Sequence, residues 1–234
     1  MSKNIKDICF VISARLSSQR LPRKMIKPFA NTNLVEIACK KILNSKIIPK
    51  ENFFFSAYEK EIIDLVQANN LQIFKRSKES AEAEGPISLI FEFHDKLDFK
   101  YVIVISACCP LIKVSTIDSF VQRFIDSKNE GLYGVIKKKN YFWDKNQNLI
   151  THWPEGLTCP NTKLVEETYE AANCLYAGRM DLISKDIWIA KPPYRKNHPE
   201  LFVVQEEETL DIDYEWQFNY VKKIYSSKTN KFVK

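Results

Sequence analysis

The sequence predicts an α/β fold built on a doubly wound, mostly parallel sheet. Short, continuously apolar runs such as residues 8–12 suit strands that are buried on both faces. Strand patterns alternate with helical patterns along the chain, and the first strand runs directly into a cationic loop. Because ligands of such sheets gather at the carboxyl ends of the strands, we expect a ligand site at that loop.

The elements before residue 132 follow one another in strand–helix order. Asn33 is predicted to cap a helix, because Glu36 stands three residues on and apolar residues recur at helical spacing. Pro86 is predicted to begin a helix, and Ser115 with Asp118 to cap another. The apolar face of the Pro86 helix would comprise Leu89, Ile90, Phe93 and Leu97. Further strands are predicted over residues 52–56, 71–74 and from 101, with a helix over 60–69.

Helical periodicity disappears between residues 132 and 170. Strand-like pieces joined by polar turns take its place, which we interpret as a small β-rich excursion from the main sheet. Its aromatic side chains suit the core of an interface, but internal packing explains them equally well. They are Tyr141, Phe142, Trp143 and Trp153.

Composition indicates one domain over residues 1–234, since 234 residues with 45% hydrophobic content can bury a sizeable core. We expect a cytoplasmic protein without membrane insertion, because no apolar run approaches the roughly 20 residues needed to span a bilayer and no leader precedes the first strand. The six cysteines form no C-x-x-C pair and are expected to be reduced core residues. The net charge of +6 suits an anionic substrate. Nucleic acid is not expected, because the basic runs lack interleaved stacking aromatics.

The loop after the first strand contains no glycine, so a phosphate group there would be held by side chains rather than by a glycine-rich backbone. Guanidinium groups can fork onto phosphate oxygens, lysine adds a point charge and serine donates a hydroxyl. The available donors are Arg15, Ser17, Ser18, Arg23 and Lys24, with Pro22 fixing the turn. The alternative is a solvated basic turn. In either case alanine at Arg15 or Lys24 is expected to leave stability nearly unchanged.

Three segments carry a family resemblance. Residues 13–29 contain Ala14-Arg15, Ser18, Arg20-Leu21-Pro22 and Lys24; a buried strand from Tyr101 ends before Pro110-Leu111; and residues 209–213 read T-L-D-I-D. In this order they resemble the cytidylyltransferases that make CMP-activated acid sugars, including acylneuraminate cytidylyltransferases, CMP-KDO synthetases and SpsF-like proteins. The sequence departs from that pattern at Arg23, where glycine is common, and at Met25, where the sialic-acid branch has asparagine.

The resemblance implies a Rossmann-like fold of the nucleotide-diphospho-sugar transferase type. It also implies transfer of CMP from CTP to an acid sugar for surface glycans, with release of pyrophosphate. Mg²⁺, or Mn²⁺ in its place, would assist, and a homodimer would form through the excursion at 132–170. The implied nucleotide-binding residues are Ala14, Arg15, Ser17, Ser18, Arg23, Lys24 and Arg76. The implied substrate-binding residues are Cys108, Cys109, Tyr176 and Arg179. Arg15, Lys24 and Asp211 would be catalytic, and Asp211 and Asp213 would bind the metal.

The spacing of Asp211 and Asp213 has a structural meaning. If residues 201–212 are extended, both carboxylates lie on one side with Ile212 in the core, and paired carboxylates are what Mg²⁺ commonly takes. Asp213 could instead cap the next helix. Arg76 could be an ordinary surface arginine, and Arg179 could form a structural salt bridge.

The Cys108-Cys109 turn has no histidine nearby in sequence, so packing beside the acceptor is favoured over a nucleophile. Two alternatives to the acid-sugar enzyme stay open. One is an SpsF-like enzyme with a different acceptor. The other is a diverged, non-catalytic nucleotide-binding protein, which the glycine count of 5 and the altered loop leave possible.

Overall fold

A seven-stranded sheet forms the centre of the computed structural model, which describes residues 2–233. The strands lie in the order β3-β2-β1-β4-β6-β5-β7. Neighbouring strands are parallel except where β6 pairs with β4 and β5, so the mostly parallel α/β sheet is confirmed. The strands are β1 (Ile8–Ser13), β2 (Phe53–Ala57), β3 (Ile73–Lys75), β4 (Tyr101–Ile105), β5 (Leu132–Lys138), β6 (Thr168–Arg179) and β7 (Glu200–Val203).

Helices cover both faces of the sheet. Alternation along β1 shows this directly: Ile8, Phe10 and Ile12 enter the larger apolar cluster, whereas Cys9 and Val11 enter a second cluster on the opposite face. The helices are α1 (Leu34–Asn44), α2 (Lys60–Ala68), α3 (Lys78–Glu82), α4 (Ile87–Ile90), α5 (Val114–Asp126), α6 (Met180–Ile183) and α7 (Glu215–Val233).

Two predicted helix starts fare differently. Asn33 caps α1 as expected, because its side chain accepts the Glu36 N–H at 2.9 Å. Helix α5 begins one residue before the predicted cap, so Ser115 lies inside it and Lys113 is the N-cap residue. Asp118 accepts a hydrogen bond from the Lys46 N–H at 3.1 Å instead, which ties α5 to the end of α1.

The long helix predicted from Pro86 is wrong. Helix α4 ends at Ile90, and a 3-10 turn follows over Glu92–Asp95. Phe91 and Phe93 both pack into the second cluster, with ring centroids 5.3 Å apart. A regular helix turns by about 200° over two residues and cannot place both rings on one face. Packing therefore overrides the local pattern.

The predicted excursion is shorter than expected. Residues 132–138 form β5, which pairs with β6 on one side and β7 on the other and so belongs to the main sheet. The excursion is reduced to residues 139–167. Within it Tyr141 is buried against Trp153, with ring centroids 5.1 Å apart, whereas Trp143 is 58% exposed.

The segment before the paired aspartates is not continuously extended. After β7 a 3-10 turn occupies Glu206–Glu208, and residues 209–213 follow as irregular chain. Ile212 is fully buried as predicted. No helix in the described part of the chain is both long and apolar enough to cross a bilayer.

Candidate active site

A cavity of about 300 Å³ opens where β1 ends. Three backbone N–H groups of the loop that follows β1 hold it in place, two through carbonyl acceptors and one through a carboxylate. The Ala14 N–H donates to the Ser56 carbonyl at 3.1 Å, the Leu16 N–H to Glu59 Oε1 at 2.6 Å and the Arg23 N–H to the Leu16 carbonyl at 2.9 Å. The charged side chains that line the cavity are four cations and one carboxylate: Arg15, Arg20, Lys24, Arg76 and Asp213. The electrostatic potential in the cavity therefore favours binding of an anionic ligand.

Two arginines form one wall. Arg76, which follows β3, is buried and donates from Nη2 to the Ala14 carbonyl at 2.6 Å. Burial lowers its pKa to about 10, so the group stays charged at neutral pH. Its Nε has no hydrogen-bond partner within the described residues. Arg15 donates from Nη1 to the Ala81 carbonyl at 3.2 Å, so both guanidinium groups are held by the backbone at the cavity edge.

Lys24, Arg20 and Asp213 form a second charged cluster in the lining of the cavity. Lys24 Nζ donates to the Ile212 carbonyl at 2.5 Å and to Asp213 Oδ1 at 3.1 Å. Arg20 Nη2 lies 2.8 Å from Asp213 Oδ2, and its guanidinium sits 5.5 Å from the Tyr214 ring centroid. Burial lowers the pKa of Lys24, but Cys108, Asp213 and Asp211 outweigh it, so the net shift is upward. Lys24 is therefore a permanent cation beside the D-I-D segment.

Asp211 lines a second cavity of about 250 Å³, whereas Asp213 lines the first. Burial first, and then the Asp213 charge, raise the pKa of Asp211. Its Oδ1 is buried without a hydrogen-bond partner among the residues that the structure describes. Buried polar atoms in native proteins nearly always have a partner, so this oxygen marks a place for a ligand atom, a water molecule or a cation. The side chains around the second cavity include Lys138, Trp216, Gln217 and Tyr220.

The family model described as "Cytidylyltransferase" matches residues 9–230. The chain belongs to the cytidylyltransferase family. Pseudaminic acid cytidylyltransferase of Campylobacter jejuni is 23% identical over 236 residues, which covers 94% of this chain and 97% of the relative. The spore coat polysaccharide biosynthesis protein SpsF of Bacillus subtilis is 22% identical over 135 residues, 55% of this chain and 54% of the relative.

The fold of this cytidylyltransferase is also that of solved relatives. A CMP:2-keto-3-deoxy-manno-octonic acid synthetase complexed with CTP superposes with a TM-score of 0.65 at 14% identity. The match covers 94% of this chain and 99% of that one. The fold and the family that the three sequence segments indicated are both confirmed.

The structure brings together most of the predicted nucleotide-binding residues of the cytidylyltransferase. Ala14, Arg15, Ser18, Lys24 and Arg76 all line the first cavity. Only 7% of Lys24 is accessible, which argues against the expectation that its replacement leaves stability nearly unchanged, because that expectation assumed a surface position. The alternative that Arg76 is a surface residue is excluded by its burial.

Two residues of the same loop that were predicted to bind the nucleotide do not line the first cavity. Ser17 is exposed, and Arg23 points to Glu61 on α2, with Nη2 3.2 Å from Oε1. Arg23 also has a φ of 59°, in the left-handed region that favours glycine. A glycine would adopt this backbone conformation without strain.

Replacing Arg23 with glycine is expected to leave CTP affinity unchanged, because the side chain does not reach the cavity. Glycine relieves the left-handed backbone strain, which raises stability. It also removes one exposed ion pair and makes the unfolded chain more flexible, which lowers stability. Because these effects oppose one another, the free energy of unfolding should change by less than about 1 kcal/mol. Calorimetric titration with CTP and chemical denaturation measure the two quantities. A tenfold loss of CTP affinity would show that Arg23 swings into the site.

The predicted substrate-binding residues are dispersed. Cys108 lines the first cavity, whereas Cys109 is buried, and burial raises its pKa well above the usual value. Arg179 pairs with Tyr101 at the start of β4, far from the strand ends that carry the cavity, and forms ion pairs with Glu130 and Asp181. The structural alternative for Arg179 therefore has direct contacts in its favour.

Tyr176 lies near the end of β4, opposite Val104, and outside the first cavity. Its ring stacks on Tyr133 with centroids 5.2 Å apart. The two hydroxyls converge on Asn173 Oδ1, at 3.3 Å from Tyr176 and 3.2 Å from Tyr133. A role toward the acceptor stays a prediction.

Arg20 has no predicted role in the site, although it stands in the Arg-Leu-Pro part of the matched motif. Its ion pair with Asp213 and its place in the cavity wall make it part of the site. The motif match was the available signal. The partner, 193 residues further along the chain, could not be read from sequence.

Proposed function

We propose that this cytidylyltransferase transfers CMP from CTP to an acid sugar of the sialic-acid or KDO type and releases pyrophosphate, for surface glycan synthesis. The observation that carries the proposal is the cavity at the end of β1, where four cations meet one carboxylate. A nucleoside triphosphate supplies the negative charge that such a wall needs, and charge on its phosphate oxygens grows during transfer.

In the proposed reaction an acceptor hydroxyl attacks the α-phosphorus of CTP. The new bond joins the sugar oxygen to phosphorus, and the bond to the pyrophosphate oxygen breaks. Arg15, Lys24, Arg20 and Arg76 neutralise the phosphate oxygens. Asp211 takes the hydroxyl proton, and its raised pKa makes it a stronger base than an ordinary aspartate.

The second cavity is the proposed place for the acceptor, because it adjoins Asp211. Trp216 and Tyr220 are 67% and 55% exposed there and offer apolar ring surfaces, while Gln217 and Lys138 offer polar contacts. Such mixed surfaces suit a sugar. The name of the relative from Campylobacter jejuni specifies pseudaminic acid, which makes an acid sugar of that class the first acceptor to test.

Mg²⁺, with Mn²⁺ as a substitute, fits Asp211 and Asp213. The partnerless Oδ1 of Asp211 is a free oxygen donor next to a second carboxylate. The described residues contain no group of three or more His, Cys, Asp or Glu side chains placed for a metal, so the protein would supply two ligands and phosphate oxygens and water the rest. When bound, the ion would add positive charge at the phosphates. Asp213 would then share its oxygens with Lys24 and Arg20.

We further propose a cytoplasmic homodimer. The excursion at residues 139–167 supports the dimer, because Trp143, Ile150 and Leu164 are 58%, 68% and 58% exposed there. Exposed apolar side chains gathered in one segment are typical of an interface.

The test is pyrophosphate release with each of CTP, UTP, ATP and GTP, in the presence of Mg²⁺ or Mn²⁺, against a panel of acid and neutral sugars. We expect pyrophosphate release only when CTP and an acid sugar are both present. Release with a neutral acceptor would move the chain to an enzyme of different acceptor specificity. Tight CTP binding without release for any acceptor would identify a non-catalytic nucleotide-binding protein.

A further inference from the structure

Helix α1 carries a lysine in the protein interior. Lys41 is 4% exposed, and its Nζ donates to two backbone carbonyls, that of Cys109 at 3.3 Å and that of Pro110 at 2.7 Å. The ion pairs of the described residues do not include Lys41: the buried carboxylate of Glu208, whose charge acts to raise the pKa of Lys41, is paired with Lys113. Burial lowers its pKa to about 7. An unpaired buried lysine is unfavourable for folding, so its presence calls for another reason.

The carbonyls that Lys41 holds belong to the turn after β4. The next carbonyl toward the N-terminus, that of Cys108, accepts the Ile212 N–H at 3.0 Å. Ile212 lies between Asp211 and Asp213, and its own carbonyl accepts from Lys24. Lys41 is thus connected to the paired aspartates by its own hydrogen bonds, by the backbone of the turn and by the Ile212–Cys108 hydrogen bond.

We propose that Lys41 is a positioning residue that fixes the Cys108–Pro110 turn and, through the Ile212 peptide, sets the place of Asp211 and Asp213. This role rests on the proposed function of the two aspartates. Arg15 and Arg76 are held by other backbone groups, the Ala81 and Ala14 carbonyls. Lys41 should therefore affect the chemical step more than CTP binding.

The test replaces Lys41 with methionine, which keeps the length of the side chain but cannot donate. The matched control is Lys40→Met, on the same helix but exposed. Lys41→Met is expected to lower kcat for pyrophosphate release on the order of 100-fold, as displacement of reacting groups by about 1 Å can do. The KM for CTP should change by less than about tenfold, since Arg15 and Arg76 keep their positions and only Lys24 contacts the Ile212 peptide. Lys41→Gln, a shorter donor, should recover part of kcat.

Amide hydrogen exchange gives a second readout that needs no acceptor. Exchange in a peptide spanning residues 209–213 should accelerate in Lys41→Met and stay at the wild-type rate in Lys40→Met, with β1 protected in both. Unchanged exchange there in a folded Lys41→Met protein would overturn the positioning role. If the wild-type protein releases no pyrophosphate, the proposed function is wrong. The exchange result still decides whether Lys41 is a positioning residue.

Discussion

Asp211→Asn is expected to reduce pyrophosphate release by at least about 100-fold while CTP affinity changes by less than about threefold. The change keeps the shape of the side chain but removes both the charge that a hard cation requires and the proton acceptor. The first cavity, with Arg15 and Arg76, is untouched, so the nucleotide should still bind. Steady-state release and calorimetric CTP titration measure the two effects.

Stability should not confound this variant. Burial raises the pKa of Asp211, so the ionised carboxylate opposes folding at pH values above its ordinary pKa. An uncharged amide should leave the free energy of unfolding equal or higher at neutral pH. Glu215→Gln, an exposed carboxylate at the start of α7, is the matched control. Full turnover in Asp211→Asn would remove both proposed roles of this residue.

Lys24→Met is expected to weaken CTP binding by about 10- to 100-fold, because a charge-assisted hydrogen bond contributes about 1.5–3 kcal/mol. It should also lower the free energy of unfolding by about 1–3 kcal/mol, since the Ile212 carbonyl and Asp213 Oδ1 lose a donor in a mostly buried place. Arg20 still pairs with Asp213, which limits the loss.

Lys27→Met is the control for that variant. Lys27 also pairs with a carboxylate at the start of α7, Glu215, at 2.6 Å, but the pair is exposed and such pairs contribute at most about 1 kcal/mol. Calorimetric titration with CTP measures binding by both variants, and urea denaturation measures their stability. Together the two measurements distinguish the contribution of Lys24 from that of Lys27. Equal CTP affinity in Lys24→Met and wild type would place the triphosphate elsewhere.

Local sequence patterns predicted correctly the elements that depend on residues close together in the chain. The apolar run of β1, the Asn33 cap of α1 and the strand from Tyr101 depend on neighbours in sequence, and all three appear where the sequence predicts them. Local patterns gave wrong predictions where contacts between residues distant in sequence favour a different structure. Phe91 and Phe93 break a helical pattern because both rings pack in the second cluster, and β5 joins the sheet because β6 and β7 offer two edges.

The sequence by itself determined the fold class, the family and the loop that supplies the cations, because these depend on side-chain types and short spacings. Only the tertiary structure decided which residues meet. It placed Lys24 and Arg20 on Asp213, nearly two hundred residues away, and it put Arg179 at the opposite end of the sheet. The reason is strand register, which long-range pairing fixes: it puts Arg179 opposite Tyr101 at the start of β4, roughly 10 Å along the strand from Tyr176 opposite Val104.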